Sequence, residues 1–450
     1  MSQHLAKTNP PLYLRNKRAN KWASRKIRQI KHDRRNAISK LEQDERFGEI
    51  SKVLLLISQL KFATPKESKG RVKYKAPKIF SIMENPQGVL DSIKSLATEL
   101  LQHQKLRRVF VDLSDVEVYD LGANSLLDIL IEEASYKATR TGRRIRWSGA
   151  YPRDPSLRRF VKSMGVIKKL QVSHEYPHPE EADKVNTYDA RCKNYVRATR
   201  LSEVDKKNRV TTQFADHINS CLKRVDRKLT QSAQSYLCKY VSEILDNAEE
   251  HANMFDWTIQ GYLDTHKKDW EIEIVILNFG RTIAESLEAL EPTHYCRKKI
   301  QPYLDAHQKH GFFNFGGWNR KSLLTLIALQ GGVSSKNESD SLIRGIGTVE
   351  LITFFQIMCE HLKKEANNAL PAKMTLISGE TEIVFDNLYK MTKNNDGISV
   401  IAFNPENDLY KPPDPTYVKE IKGASFPGTV LSIKFHLPRA STSGVEGAQS

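Results

Sequence analysis

The sequence has little of what would staple or anchor a protein. Five cysteines stand among 450 residues (Cys192, Cys221, Cys238, Cys296 and Cys359), odd in number, far apart and without the paired spacing of a zinc site. No apolar run approaches the ~18 residues that a membrane helix needs. The basic N-terminus lacks the apolar segment and small-residue cleavage site of a secretory signal. These absences predict a soluble chain with free thiols in a reducing cytoplasm, long enough for two or three domains with separate cores.

Acidic residues are scarce in one place. Residues 1–75 hold 20 Lys/Arg against 6 Asp/Glu, a surplus of 14 within a net charge of +17 for the whole chain. A concentrated basic segment is the footprint of a polyanion partner, RNA or DNA among them, with a solvated tail or an anionic membrane surface as the other readings. Trp22, Ile27, Ile30 and Ala37 give only a sparse apolar stripe, so a free helix there would be marginal. Ile50, Val53, Leu54, Ile57 and Leu60 give a fuller one, expected to dock on a domain. Pro65 to Pro77 reads as a linker with little to bury.

A small α/β unit is expected next. VFVDLSDV (109–116) and RRIRWSGA (143–150) read as strands. LGANSLLDILIEEASYKATRTG (121–142) reads as a helix with Leu126, Leu127, Leu130 and Ile131 inward, ended at Gly142. DPSLRRFVKSMG (154–165) reads as a second helix entered through Asp154 and Pro155. Short joints between these elements imply a small sheet with helices on one face. HEYPHPEEADK (174–184) reads as a linker, and 211–229 as a helix. Strands are expected at 254–264, 270–278, 373–379, 381–386, 398–405 and 429–438, the third and fourth forming a hairpin. The tail after Pro438 is poor in apolar residues and is expected to be disordered.

The densest signal is Tyr236 to Asn253, YLCKYVSEILDNAEEHAN. Tyr236, Leu237, Tyr240, Val241, Ile244, Leu245 and Ala248 recur at helical spacing, and Glu243, Asn247 and His251 stack at i, i+4 and i+8 along the border of that stripe. Asp246, Glu249 and Glu250 are expected to face solvent. A carboxylate, an amide and an imidazole at the rim of a core face either pair with each other and water or await a ligand.

E-x-x-x-N-A-x-x-H, followed in order by glycine signals, resembles the N box of the GHKL ATP-binding superfamily, and VSEILDNAEEHAN is most similar to its anti-sigma-factor serine kinase branch. The resemblance implies ATP and Mg²⁺ as cofactors. Glu243 would polarise water or an acceptor hydroxyl, Asn247 would hold Mg²⁺ against the phosphates, and His251 would flank them or cap the site. Asn278-Phe279-Gly280-Arg281-Thr282 stands where the family has D-x-G-x-G. Asn278 would accept the adenine amino hydrogen in place of the aspartate, and Thr282 replaces the second glycine. Gly345, Gly347 and Thr348 open an apolar helix like the second glycine box, whose backbone N–H groups cradle phosphates, with Arg344 adding charge. Thr429 in Phe426-Pro427-Gly428-Thr429 matches the closing G-T.

VDLSDVEVYDLGANSLLDIL resembles the STAS domain of anti-sigma-factor antagonists. There a serine at the start of the helix accepts phosphate; here Leu121 or Gly122 fills that place, and the nearest hydroxyl is Ser125. The implied fold is α/β (α+β). A basic helical arm and linker (1–77) would precede a STAS-like domain (78–172), a linker (173–205) and a GHKL-type sandwich with a mixed sheet (206–438, lid about 284–343), ending in the tail 439–450. The implied function is an ATPase or ATP-driven switch regulated by its own STAS-like domain. The alternatives are a serine/threonine kinase acting on a separate protein partner, or a nucleic-acid-binding adaptor with a decayed ATP site.

Overall fold

A computed structural model describes residues 51–60, 70–103, 105–140, 142–164, 185, 187–193, 203–251, 256–265, 270–314, 317–333, 346–365 and 372–444. The first element, α1 (Lys52–Ser58), starts where the Leu54 amide donates to Ser51 Oγ. Its buried Val53, Leu54 and Ile57 dock as their spacing predicts. The rest of the basic arm, 1–50 and 61–69, lies outside the described residues.

The small unit runs β1 (Arg71–Lys75), β2 (Ile79–Phe80), α2 (Pro86–Gln102), β3 (Arg108–Asp112), β4 (Val118–Tyr119), α3 (Leu121–Arg140), β5 (Arg146–Ala150) and α4 (Pro155–Met164). β1, β3 and β5 form a parallel sheet in the order β1-β3-β5, and β2 pairs with β4. The expected strands and helices are all there, each within a few residues of its predicted ends. β1 corrects the linker expected at 65–77. Arg71, Lys73 and Lys75 point outward and disguise Val72 and Tyr74, which alternate with them into the core. A helix absent from the expectations, α2, is capped by Asn85, which accepts from the Gly88 amide, and has Pro86 in its first turn.

The larger part continues with β6 (Thr187–Lys193), α5 (Glu203–Lys223), β7 (Arg227–Leu229), α6 (Gln231–His251), β8 (Asp256–Asp264) and β9 (Glu271–Phe279). Next come α7 (Ile283–Glu288), α8 (Tyr295–Lys309), α9 (Arg320–Ala328) and α10 (Ile346–Glu365). β10 (Lys373–Gly379), β11 (Thr381–Phe385), β12 (Thr392–Lys393), β13 (Ser399–Val400), β14 (Val418–Glu420), β15 (Phe426–His436) and β16 (Thr442–Gly444) close the chain. Seven strands make one sheet, β14-β11-β10-β15-β9-β8-β6, and every pairing in it is antiparallel. The class is α+β, but the large sheet is not mixed as expected.

Four further expectations are corrected. The linker 173–205 contains an edge strand, β6, and the start of α5. The helix expected over 211–229 stops at Lys223, because Asp226 turns the chain at positive φ into β7. The strand expected at 398–405 shrinks to β13, since Gln330 takes over the backbone at Ile401, its Nε2 donating to the carbonyl and its Oε1 accepting from the amide. The tail orders through 444, where β16 pairs with β7 and the Arg439 guanidinium stacks 3.6 Å from the Trp270 ring centroid; 445–450 lie outside the described residues.

The large sheet is buried on both faces. Ile272, Ile274 and Ile276 of β9 pack into a core shared with α5, α6 and α10, whereas Val275, Leu277 and Phe279 on the alternate side join the core of the small unit. Residues 121–131 of α3 are all buried, which fits a helix with packed surroundings on every side. Arg191 of β6, 8% exposed, pairs with both oxygens of Asp256 at 3.0 Å and with Glu132 and Glu133 of α3. Burial works against its charge, but these carboxylates outweigh burial and raise its pKa.

At the start of α3 the Leu121 amide donates to Glu273 Oε1 (2.9 Å). The Tyr262 hydroxyl lies 2.7 Å from Glu271 Oε1 and 3.1 Å from Glu273 Oε2, and Lys434 pairs with Glu271 at 3.1 Å. The one phenolic proton of Tyr262 is shared between Glu271 and the fully buried carboxyl of Glu273. Burial pushes that carboxyl up to about 8, and Asp120 adds to the rise against the pull of Lys434, the Leu121 amide and Tyr262. A raised carboxyl pKa contributes stability that is full below its ordinary value of 4.5 and is lost as pH climbs through about 8. Glu273→Gln, which imitates the neutral form, should therefore gain in Tm on the wild type as pH rises from about 5 to about 9. A Tm difference that stays flat across calorimetric scans in that window rejects the protonated assignment.

Candidate functional site

Thr230 starts α6, its hydroxyl accepting from the Ala233 amide at 3.3 Å. The buried face is Leu237, Val241, Leu245 and Ala248, a narrower stripe than expected. Tyr236 stands 54% exposed outside it, and Tyr240 is half-buried, stacked on Phe354 of α10 at 4.1 Å. Glu243 and Asn247 are half-buried. Asp246 is half-buried as well, not fully solvent-facing. His251 is the last residue of α6, and the side chains of residues 249–251 lie outside the described ones.

α10 brings the second glycine signal beside this helix. Glu350, in its opening turns, pairs with Lys239 of α6 at 3.0 Å, next to the Tyr240–Phe354 stack. Gly347 and the half-buried Thr348 lie in its first turn, whereas Arg344 and Gly345 lie outside the described residues.

Asn278 and Thr429 meet at the end of the sheet. Strand register places Trp257, Asn278, Thr429 and Ser378 side by side on β8, β9, β15 and β10. Alternation puts the row on the face that carries Ile274, Ile276 and Leu431, which is the face covered by α6 and α10. A polar row thus closes an otherwise apolar surface. Ser378, which no motif announces, ties it together: its Oγ accepts from the Ile283 amide at 2.9 Å and lies 3.0 Å from Thr429 Oγ1.

The glycines beside the row have different reasons to be there. A Cβ on Gly428, at φ +144°, would sit 2.0 Å from the Asn278 carbonyl oxygen. Gly280, at φ +125°, donates its amide to Pro427 O at 3.0 Å. Thr282 is the N-cap of α7: its hydroxyl accepts from the Glu285 amide while its own amide donates to Glu285 Oε2. This capping box was legible as T-x-x-E. Within the segment expected to be a lid (284–343), α7, α8 and α9 enclose a small core of Leu287, Cys296, Ile300, Leu304, Trp318 and Leu324. Residues 315–316 and 334–345 lie outside the described ones.

On the opposite face, Ser125 is 0% exposed, and its Oγ lies 2.6 Å from Gln260 Oε1 and 2.8 Å from the Leu121 carbonyl. Among the described residues, no group of three His, Cys, Asp or Glu side chains is placed to hold a metal ion, and no helix is long and apolar enough to cross a membrane. All five cysteines are free.

Comparison with protein-family models, with curated proteins and with solved structures found no match to this chain.

Gly428→Ala should cost roughly 1–3 kcal/mol or more, because the methyl must displace the Asn278 backbone. Gly444→Ala, with nothing within 4 Å of the new carbon, should leave Tm unchanged. Equal melting of the two variants would show that the approach of β15 to Asn278 is not tight.

Proposed function

We propose that the chain binds ATP with Mg²⁺ on the helix-covered face of the large sheet and acts as an ATP-driven switch or ATPase. What supports the reading is that four separate segments lie in adjacent layers. α6 bears Glu243 and Asn247, α10 opens beside α6, and Asn278 and Thr429 lie side by side on the strands beneath that helical layer. The Asn278 amide oxygen suits an adenine amino group. The first turn of α10 offers amides to phosphate. With no acidic cage among the described residues, Mg²⁺ would enter only as its nucleotide complex, held by Asn247 and the phosphates with water on its remaining positions. Glu243 would orient the attacking oxygen.

In this reading the STAS-like unit is a fixed support. Its helix α3 shares a core with β8, β9 and β15, so undocking would wet a large apolar surface. Nucleotide would therefore act through α10 and the helical block of α7, α8 and α9. A cytoplasmic setting goes with the free thiols.

Titration calorimetry should give ATP binding only with Mg²⁺ present and no heat from Mg²⁺ alone. Asn247→Ala should abolish the Mg²⁺-dependent affinity, and Glu243→Ala should bind ATP yet lose phosphate release. Undiminished turnover in Glu243→Ala removes its assigned role, and wild type without ATP binding removes the proposal. After incubation with Mg²⁺-ATP, mass spectrometry should find no phosphate on Ser125, whose hydroxyl is buried; a phosphorylated Ser125 would mean that the two halves separate and would favour the kinase alternative.

A further inference from the structure

Parallel sheets are ordinarily covered on both faces. Among the described residues the β1-β3-β5 sheet is covered on one, where Val72, Tyr74, Val109, Val111 and Trp147 turn inward. Its other face carries exposed side chains on all three strands. The register sets Arg71, Arg108 and Arg146 in a row across the strands, and Lys73, Phe110 and Ser148 in the next. Phe110 is 36% exposed on the central strand. Lys73 Nζ lies 5.8 Å from the centre of that ring. Among the described residues, acid meets this face beyond Phe110, where Asp112 takes Lys73 at 3.4 Å and Asp115 takes Lys75 at 2.7 Å. Among the described residues no carboxylate is paired with Arg71, Arg108 or Arg146.

We propose that this open face binds single-stranded nucleic acid, with a base stacked on Phe110 and the backbone phosphates on the Arg71–Arg108–Arg146 row. The charge fits a polyanion. The ring decides which one. An exposed aromatic on a sheet, flanked by guanidinium groups, is a stacking platform for an unpaired base. A duplex offers phosphates but keeps its base faces stacked, and an anionic membrane offers no aromatic face. The site is independent of the nucleotide reading above and lies on a different sheet.

The test uses the full chain, fluorescent oligothymidylate and oligouridylate of about 12 nucleotides, and a duplex of equal phosphate count. Because residues 1–50 are themselves basic, the decisive variants lie on the sheet. Phe110→Ala should weaken single-strand binding about ten-fold, within the roughly 5- to 150-fold that losing one base stack costs. It should leave duplex binding unchanged, and Phe110→Trp should restore the single-strand affinity. Arg108→Glu with Arg146→Glu should weaken both ligands and flatten the salt dependence. Photo-cross-linking of bromodeoxyuridine-substituted oligonucleotide should mark the peptide that contains Phe110. Wild-type affinity in all three variants, with cross-links confined to residues 1–50, overturns the proposal. So does a wild type that binds phosphatidylserine vesicles through these residues and ignores oligonucleotides.

Discussion

The amide at the start of α3 ends on a carboxyl group from the other half of the chain. Leu121 donates to Glu273, Tyr262 bridges Glu273 to Glu271, and Lys434 holds Glu271. A helix N-terminus favours negative charge, whereas complete burial disfavours it. A protonated acid settles the conflict, giving an acceptor for the amide without a full charge in the core. Around it the small unit is sealed on the large sheet by Arg191 with its three carboxylates, by Ser125 on Gln260, and by Phe160 edge-on to Tyr262 at 5.5 Å. In this chain the entry is closed by the chain's own acid.

The nucleotide chemistry proposed for the chain lies on the other face. There the apolar surface under α6 and α10 ends in the row of Trp257, Asn278, Thr429 and Ser378. The fit of Gly428 against the Asn278 carbonyl fixes the spacing of the two central members. The cap on α7 is hung from the same row through the Ile283 amide and Ser378, so the helical block starts from a point that the sheet holds rigid.

Much of this could be read from periodicity alone. α3, β8, β9, β10 and β15 announce themselves by apolar spacing. What escaped has physical reasons. In β1 three basic residues alternate with only two inward ones, so the charge hides the pattern. β6 falls in a polar stretch and earns its place only by pairing with β8. Glu271 and Glu273 alternate with apolar neighbours on a strand expected to be central, yet the partner that keeps them dry is a helix about 150 residues earlier in the chain. Thr282 looked like a substituted glycine, although Glu285 three residues on marks it as a cap.

β15 carries a last consequence, for the order in which the chain can assemble. It is the final strand of the large sheet in sequence but a middle one in space, lying between β9 and β10. During synthesis the sheet therefore remains in two parts until residues near 436 have left the ribosome. α3, made some 300 residues sooner, must wait for part of its cover. Contacts of such sequence separation are slow to form and leave apolar surface open meanwhile. A chain stopped short of β15 would thus hold an incomplete sheet and an uncovered helix, a natural target for chaperones.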